Sequence, residues 1–140
     1  IKLGIKNPPV NEAGEPLVQN GKLRMGNLDA VRDWGYAKEY VEAMWMMLQQ
    51  DKPSDYIIAT NTVYTVRDLC RCAFSRAGLD WEEHIEVDER FIRPTEIAAS
   101  RGDYSKAEAE LGWKPRTSFE DLINLMVDED IKRLEKSGLR

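Results

Sequence analysis

The 140 residues are 42% hydrophobic and 32% charged, a balance that excludes disordered and fibrous classes and leaves enough chain for one core. A formal net charge of −5 speaks against a nucleic-acid or anionic-membrane surface, each of which needs a basic stripe. Any phosphate contact must therefore come from local arginines.

Taken in order, Ile1 to Gly4 reads as the tail of an amphipathic helix. The stretch 7–21 (NPPVNEAGEPLVQNG) carries three prolines and two glycines and is expected to be a flexible surface loop. Residues 22–25 form a short strand candidate ending at Gly26. After Gly35, the span 36–50 places Ala37, Tyr40, Val41, Met44, Trp45 and Leu48 at three- and four-residue spacing, an amphipathic helix stopped by Asp51-Lys52-Pro53. Its spacing makes Tyr40 and Trp45 core residues rather than base-stacking platforms.

Residues 56–60 (YIIAT) read as a short β-branched strand buried on both faces. Thr65-Val66-Arg67-Asp68 is a capping box, in which the Thr hydroxyl and the Asp carboxylate satisfy free N–H groups at a helix start. That helix runs to Ala77, and Gly78 ends it. Residues 83–89 alternate Ile85 and Val87 with His84, Glu86 and Asp88, as a strand with one wet face does. Asp103 or Ser105 caps a short helix that closes at Leu111-Gly112, Trp113-Lys114-Pro115 is a fixed turn, and Ser118 to Asp121 is another capping box, opening a last helix with Phe119, Leu122, Ile123, Met126, Val127, Ile131 and Leu134 inward. Helices and strands are mixed, with too few strands for an independent sheet, so some strands are expected to extend a sheet lying outside this sequence.

Chemistry-bearing residues are sparse. Cys70 and Cys72, spaced Cys-x-Cys, make a poor disulfide or zinc pair and read as reduced structural thiols. The lone histidine, His84, removes most His-based metal sites and His-dependent triads. No apolar run reaches membrane-spanning length and no signal peptide is visible. The chain begins at Ile1 and reads as a piece of a larger protein.

Two segments stand out: Gly26-Asn27-Leu28-Asp29-Ala30-Val31-Arg32-Asp33-Trp34-Gly35 and Arg93-Pro94-Thr95-Glu96. A guanidinium offers a planar fork of donors matched to phosphate oxygens, and a carboxylate accepts from ribose hydroxyls or a purine N–H. Pro94 forces Arg93 towards extended backbone. The set suits a nucleoside diphosphate. Plainer roles stand beside it: Arg32 could pair with Asp29, Asp33 or a helix end, Glu96 could be a first-turn carboxylate favoured by the helix dipole, and Trp34 could line a pocket or pack. Asp103 and Lys106 read as a cap and a solvated helix residue, and Asp128-Glu129-Asp130 as a wet helix face.

GNLDAVRDWG with its following helix, YIIAT, RPTE, GDYSKAEAELGWKP and the closing SFEDLINLMV resemble the C-terminal part of the GDP-mannose 4,6-dehydratases, a branch of the extended short-chain dehydrogenase/reductase superfamily. The resemblance covers most of 22–134. Two stretches depart from the family pattern, 7–21 being longer and 78–92 shorter. The resemblance implies an α/β fold, the C-terminal substrate-binding portion of a Rossmann-type architecture whose N-terminal cofactor-binding part is absent here. Residues 1–140 would form the nucleotide-sugar-binding portion, with helix 36–50 packed on that missing domain. It further implies NADP as cofactor and GDP-mannose as substrate. The reaction would be oxidation of the hexose at C4, loss of water across C5–C6 and return of hydride to C6, giving GDP-4-keto-6-deoxymannose.

Arg32, Arg93 and Glu96 match the family's GDP-binding positions. The cofactor loop and the catalytic Tyr-x-x-x-Lys have no counterpart in this sequence, so these residues alone are not expected to catalyse. By the same analogy the parent would be a cytoplasmic homo-oligomer, a lyase of GDP-fucose biosynthesis. Two other readings fit the residues: a non-catalytic nucleotide-sugar-binding module, and a sister GDP-sugar epimerase or reductase on the same scaffold.

Overall fold

The computed structural model describes residues 1, 10, 11, 14–92, 95, 97 and 99–137. The helix end expected at Ile1 to Gly4 lies, apart from Ile1, outside the described residues.

The chain first makes a hairpin. Strand β1 (Val18–Gln19) pairs antiparallel with β2 (Lys22–Met25), Val18 opposite Leu23 and Gln19 opposite Lys22. The Asn20-Gly21 turn between them has φ of 53° and 75°. Positive φ at both central residues is what a two-residue hairpin needs to match strand twist, and Asn-Gly supplies it cheaply. The stretch read as a loop to residue 21 therefore ends earlier, at the start of β1.

Strand β3 (Val31–Arg32) follows, then helix α1 (Ala37–Leu48). Strand β4 (Tyr64–Thr65) pairs antiparallel with β3, Arg32 opposite Tyr64 and Val31 opposite Thr65. It leads directly into helix α2 (Val66–Ala77), where Thr65 Oγ1 accepts from the Asp68 N–H at 3.0 Å and Asp68 Oδ2 accepts from the Thr65 N–H at 3.0 Å. Gly78, left-handed at φ 72°, ends the helix. The expected capping box and C-cap are both in place.

A short helix α3 (Trp81–His84) precedes strand β5 (Ile85–Val87). The strand expected over 83–89 is thus shorter at both ends. Asp80 accepts from the Glu82 N–H at 3.0 Å and starts a helical turn that claims His84, and a 3₁₀ turn takes Glu89–Phe91. Strand β5 lies parallel to β2, in the order β1-β2-β5, with α2 in the crossover. Parallel neighbours require such a crossover. Helices α4 (Ser105–Leu111) and α5 (Phe119–Lys136) complete the chain. The Asp103 carboxylate accepts from the Ser105 N–H at 2.9 Å, and Ser118 Oγ accepts from the Asp121 N–H at 3.1 Å.

Burial is split between two clusters. One gathers Ala43 of α1, Ala107 and Leu111 of α4, and Trp113, with Tyr40, Met47, Ile58 and Tyr104 against it. Tyr40 and Tyr104 meet Trp113 edge-on at 6.0 and 6.1 Å. Trp113 donates from Nε1 to the Glu39 carbonyl at 2.9 Å, and the buried Glu39 carboxylate accepts from Thr117 Oγ1 at 2.7 Å and the Arg116 N–H at 3.1 Å. One acidic side chain of α1 thereby holds the 113–118 connection. The second cluster joins Leu28, Cys70 of α2 and Ile85 of β5, with Leu23, Val66, Phe74 and Trp81 around them. Helix α5 packs on α2 and is tied there by a bidentate Arg76–Asp128 pair at 2.6 and 2.8 Å.

Two expectations need correction. Tyr40 faces the first cluster, but Trp45 is 62% exposed, together with Val41, Met44 and Leu48. Helix α1 carries a wide apolar arc, its Tyr40, Ala43 and Met47 side turned to the cluster and the neighbouring Val41, Met44, Trp45 and Leu48 side left exposed, so its three- and four-residue spacing mixes two adjacent faces. Residues 56–60 belong to no strand among the described residues. Ile58 and Tyr56 pack on the first cluster and Ala59 is buried, while Ile57 is 58% exposed. A β-branched run favours a strand, but a ladder also needs a neighbour. Among the described residues, no helix is long and apolar enough to cross a membrane.

Candidate functional site

The site is built from the end of β3 outward. Arg32 is the last residue of β3, where pairing with β4 fixes its backbone. On its other side β3 makes a parallel bridge, Val31 to Ala99, and the Ser100 N–H reaches the Val31 carbonyl at 3.3 Å. Arg32 Nη1 donates to the Ile97 carbonyl at 2.9 Å and to the Val31 carbonyl at 2.7 Å. The arginine thus lies against the segment that continues directly from Arg93-Pro94-Thr95-Glu96. Arg93 and Glu96 themselves lie outside the described residues.

The carboxylates considered as plain partners for Arg32 are committed elsewhere. Asp29 accepts from Arg67 Nη2 at 2.8 Å and Nε at 3.2 Å. Asp33 gathers four donors: Oδ1 accepts from the Thr60 N–H at 2.9 Å and Thr60 Oγ1 at 2.6 Å, and Oδ2 from the Asn61 N–H at 3.0 Å and the Gly102 N–H at 3.3 Å. Sequence reading singled out Arg32 and passed over Asp33, Thr60 and Gly102. The only local signal was Asp33's position between Arg32 and Trp34, because a loop carboxylate that collects distant backbone donors has no periodic signature.

Trp34 lines a cleft of about 340 Å³ with Thr60, Thr62, Tyr64, Tyr104 and Phe119. Its ring is 5.7 Å from Phe119, on which Tyr64 stacks at 4.0 Å, so Trp34 both packs and lines a pocket. Tyr40 sits close by, and burial first, then the Asp33 and Glu39 carboxylates, push its hydroxyl above the ordinary tyrosine range.

The remaining titratable groups are structural. Asp103 accepts from the Ser105 N–H in the turn ahead of α4, whose N-cap is Tyr104 without a side-chain cap bond, so the expected Asp103 or Ser105 cap is not formed. Lys106 donates to Ser54 Oγ at 2.7 Å and the Asp55 carbonyl at 2.9 Å rather than forming an acid/base pair with Asp103. Asp128, Glu129 and Asp130 pair with Arg76, Lys132 and Arg133. Both cysteines are free thiols, and burial raises the pKa of each, so neither is an activated nucleophile. Among the described residues, no three His, Cys, Asp or Glu side chains are grouped to hold a metal. The arrangement sets an arginine at a strand end, and among the described residues of the site no side chain is placed as an activated nucleophile or metal ligand.

A family model described as GDP-mannose 4,6 dehydratase matches residues 14–126. GDP-mannose 4,6 dehydratase 1 of Arabidopsis thaliana is 52% identical over 111 residues, covering 79% of this chain and 31% of the relative. The Homo sapiens GDP-mannose 4,6 dehydratase is 43% identical over 125 residues, covering 77% of this chain and 34% of the relative. The chain therefore spans about a third of the length of these curated relatives.

Among solved structures, RMD from Pseudomonas aeruginosa complexed with NADPH superposes with a TM-score of 0.72 at 20% identity, over 82% of this chain and 37% of that one. A dTDP-glucose 4,6-dehydratase from Bacillus anthracis in complex with NAD gives 0.72 at 22% identity, over 81% and 36%. These likenesses concern the fold.

Proposed function

Because the chain belongs to the GDP-mannose 4,6 dehydratase family and carries the C-terminal portion of an extended short-chain dehydrogenase/reductase fold, we propose that it forms the GDP-sugar-binding part of such an enzyme. The whole enzyme would be a lyase that converts GDP-mannose to GDP-4-keto-6-deoxymannose. The observation that carries the reading is the join at β3. The Val31–Ala99 bridge and the Arg32–Ile97 bond bring one arginine of the set to the chain that leads out of 93–96.

In this proposal Arg32 and Arg93 meet the diphosphate through their guanidinium forks, and Glu96 accepts from the ribose hydroxyls. NADP, when bound, supplies the hydride acceptor and donor. The sequence contains neither Gly-x-Gly-x-x-Gly nor Tyr-x-x-x-Lys, so the residues present do not fit a cofactor cradle. We assign the cofactor to the part of the parent's length that has no counterpart here.

That part also gives the exposed face of α1 an occupant. Val41, Met44, Trp45 and Leu48, with Ile57 of the unladdered 56–60 segment, are too many large apolar side chains to leave in water. We place the cofactor-holding part of the parent on α1 and its sheet edge along 56–60. The parent is taken as a cytoplasmic homo-oligomer, in keeping with two free thiols, and as a partner of neither nucleic acid nor membrane, in keeping with the net charge of −5.

Calorimetric titration of GDP, with UDP as control, into the full-length protein tests the site. GDP should bind in preference to UDP, and Arg32→Ala should weaken GDP by about 2–4 kcal/mol, the scale for leaving a buried charge without its partner. Equal affinity for GDP and UDP, or an unaltered Arg32→Ala variant, would sink the assignment.

A further inference from the structure

We infer that Asp33 is the positioning residue of the GDP site, the carboxylate that sets where Arg32 stands relative to the segment leaving 93–96; the inference rests on the GDP-site reading above. Two stretches distant in sequence meet on its two oxygens. The turn at 60–61 contributes the Thr60 and Asn61 N–H groups and the Thr60 hydroxyl, and the 97–102 segment contributes the Gly102 N–H. Asn61 is left-handed at φ 60°, a conformation Asn tolerates, and the two consecutive N–H groups there converge on one side chain.

The 97–102 segment is consequently held at three points along β3. Ile97 is held by the Arg32 guanidinium, residues 99 and 100 by Val31, and Gly102 by Asp33. The first of these is the functional arginine itself. If the Asp33 end is released, the segment is free to slide, and the Ile97 carbonyl that holds the Arg32 guanidinium is no longer fixed. Bidentate capture of a diphosphate tolerates little such error.

The carboxylate is required because only an ionised acid accepts from all four donors. Asparagine offers one carbonyl oxygen, and its NH₂ would face two of the donors it should accept from. Asp33→Asn in the full-length protein is therefore expected to raise the Kd for GDP about tenfold, the scale of one charge-assisted hydrogen bond.

The test is a calorimetric cycle of Asp33→Asn, Arg32→Ala and the double variant with GDP as the probe. Since Asp33 acts through Arg32, its replacement should add less than about threefold on top of Arg32→Ala. A role confined to folding would lower the fraction of competent sites at unchanged Kd. Unchanged Kd in Asp33→Asn while Arg32→Ala weakens binding, or full additivity in the double variant, overturns this inference alone. Unchanged Kd in Arg32→Ala overturns the site reading beneath it. Should Asp33→Asn fail to fold, Thr60→Val removes one of the four donors and should raise the Kd in the same direction. No rise in that variant overturns the inference.

Discussion

Gly102→Ala is the sharpest perturbation of the β3 join. A Cβ built at Gly102 would stand 2.2 Å from the Ala59 Cβ and 3.1 Å from Ile57 Cγ2. Carbon atoms rest at about 3.5–4.0 Å, so the 100–102 and 56–60 segments would have to part by about 1.5 Å. That movement is resisted from both sides. Ala59 is buried, and the Gly102 N–H is bonded to Asp33. Overpacking costs about 1–3 kcal/mol and the stretched hydrogen bond about 1 kcal/mol, giving about 2–4 kcal/mol in all. Urea unfolding followed by tryptophan fluorescence would read it. The decisive comparison is Gly102→Ala combined with Ala59→Gly, which removes the nearest obstructing carbon. Ala59→Gly alone should cost about 1–2 kcal/mol in lost burial and added chain entropy. The pair should be more stable than the sum of the singles by at least about 1 kcal/mol. Additive losses, or a Gly102→Ala variant within about 0.5 kcal/mol of the parent sequence, would show that the close approach does not govern the join.

Glu39→Gln keeps the shape of the buried side chain but removes the charge that binds Thr117 Oγ1 and the Arg116 N–H, and should lower stability by about 1–3 kcal/mol; an unmoved denaturation midpoint would show that the charge is not what holds the 113–118 connection. The Asp88 carboxyl is held at a pKa of about 2, chiefly by the hydrogen bonds from the Arg90 side chain. Its unfolded value is about 3.9, so the stability it contributes is complete above that pH and is lost as pH falls through about 2. A carboxyl-shift titration by NMR should place it there and move it up in Arg90→Ala, whereas a midpoint near 4 in the unaltered chain would refute the pairing.

What the sequence disclosed was whatever a few adjacent residues decide by themselves. The Thr65–Asp68 box and the left-handed Gly78 are each complete within four or five residues and stand as read, whereas of the box expected at Ser118–Asp121 only the Ser118 side-chain cap is formed. The Asn20-Gly21 turn was equally local, but three prolines nearby masked it as loop. The Asp80 cap was hidden in the same way by the alternation of Ile85 and Val87, which fits strand and short helical turn alike. Asp33 was illegible for a different reason. Its meaning lies in donors 27 and more residues away, which no window along the chain contains.

Helix α1 shows how far periodicity carries and where it misleads. A single apolar stripe at three- and four-residue spacing implies one buried face, and on that rule Trp45 belongs with Tyr40. Yet Tyr40 and Trp45 are five residues apart, nearly a turn and a half, and so cannot share a face. With Ala43 and Met47 beside one, and Val41, Met44 and Leu48 beside the other, the helix carries two stripes. A helix with so wide an apolar arc is built to be covered by more than one neighbour. The first stripe is covered by α4 and Trp113. The second is left exposed, and so is Ile57, on a segment with no ladder among the described residues. That conjunction is what a sheet with a helix against it would complete. It is why replacing Trp45 or Leu48 by lysine should harm assembly of the full-length protein more than folding of these 140 residues.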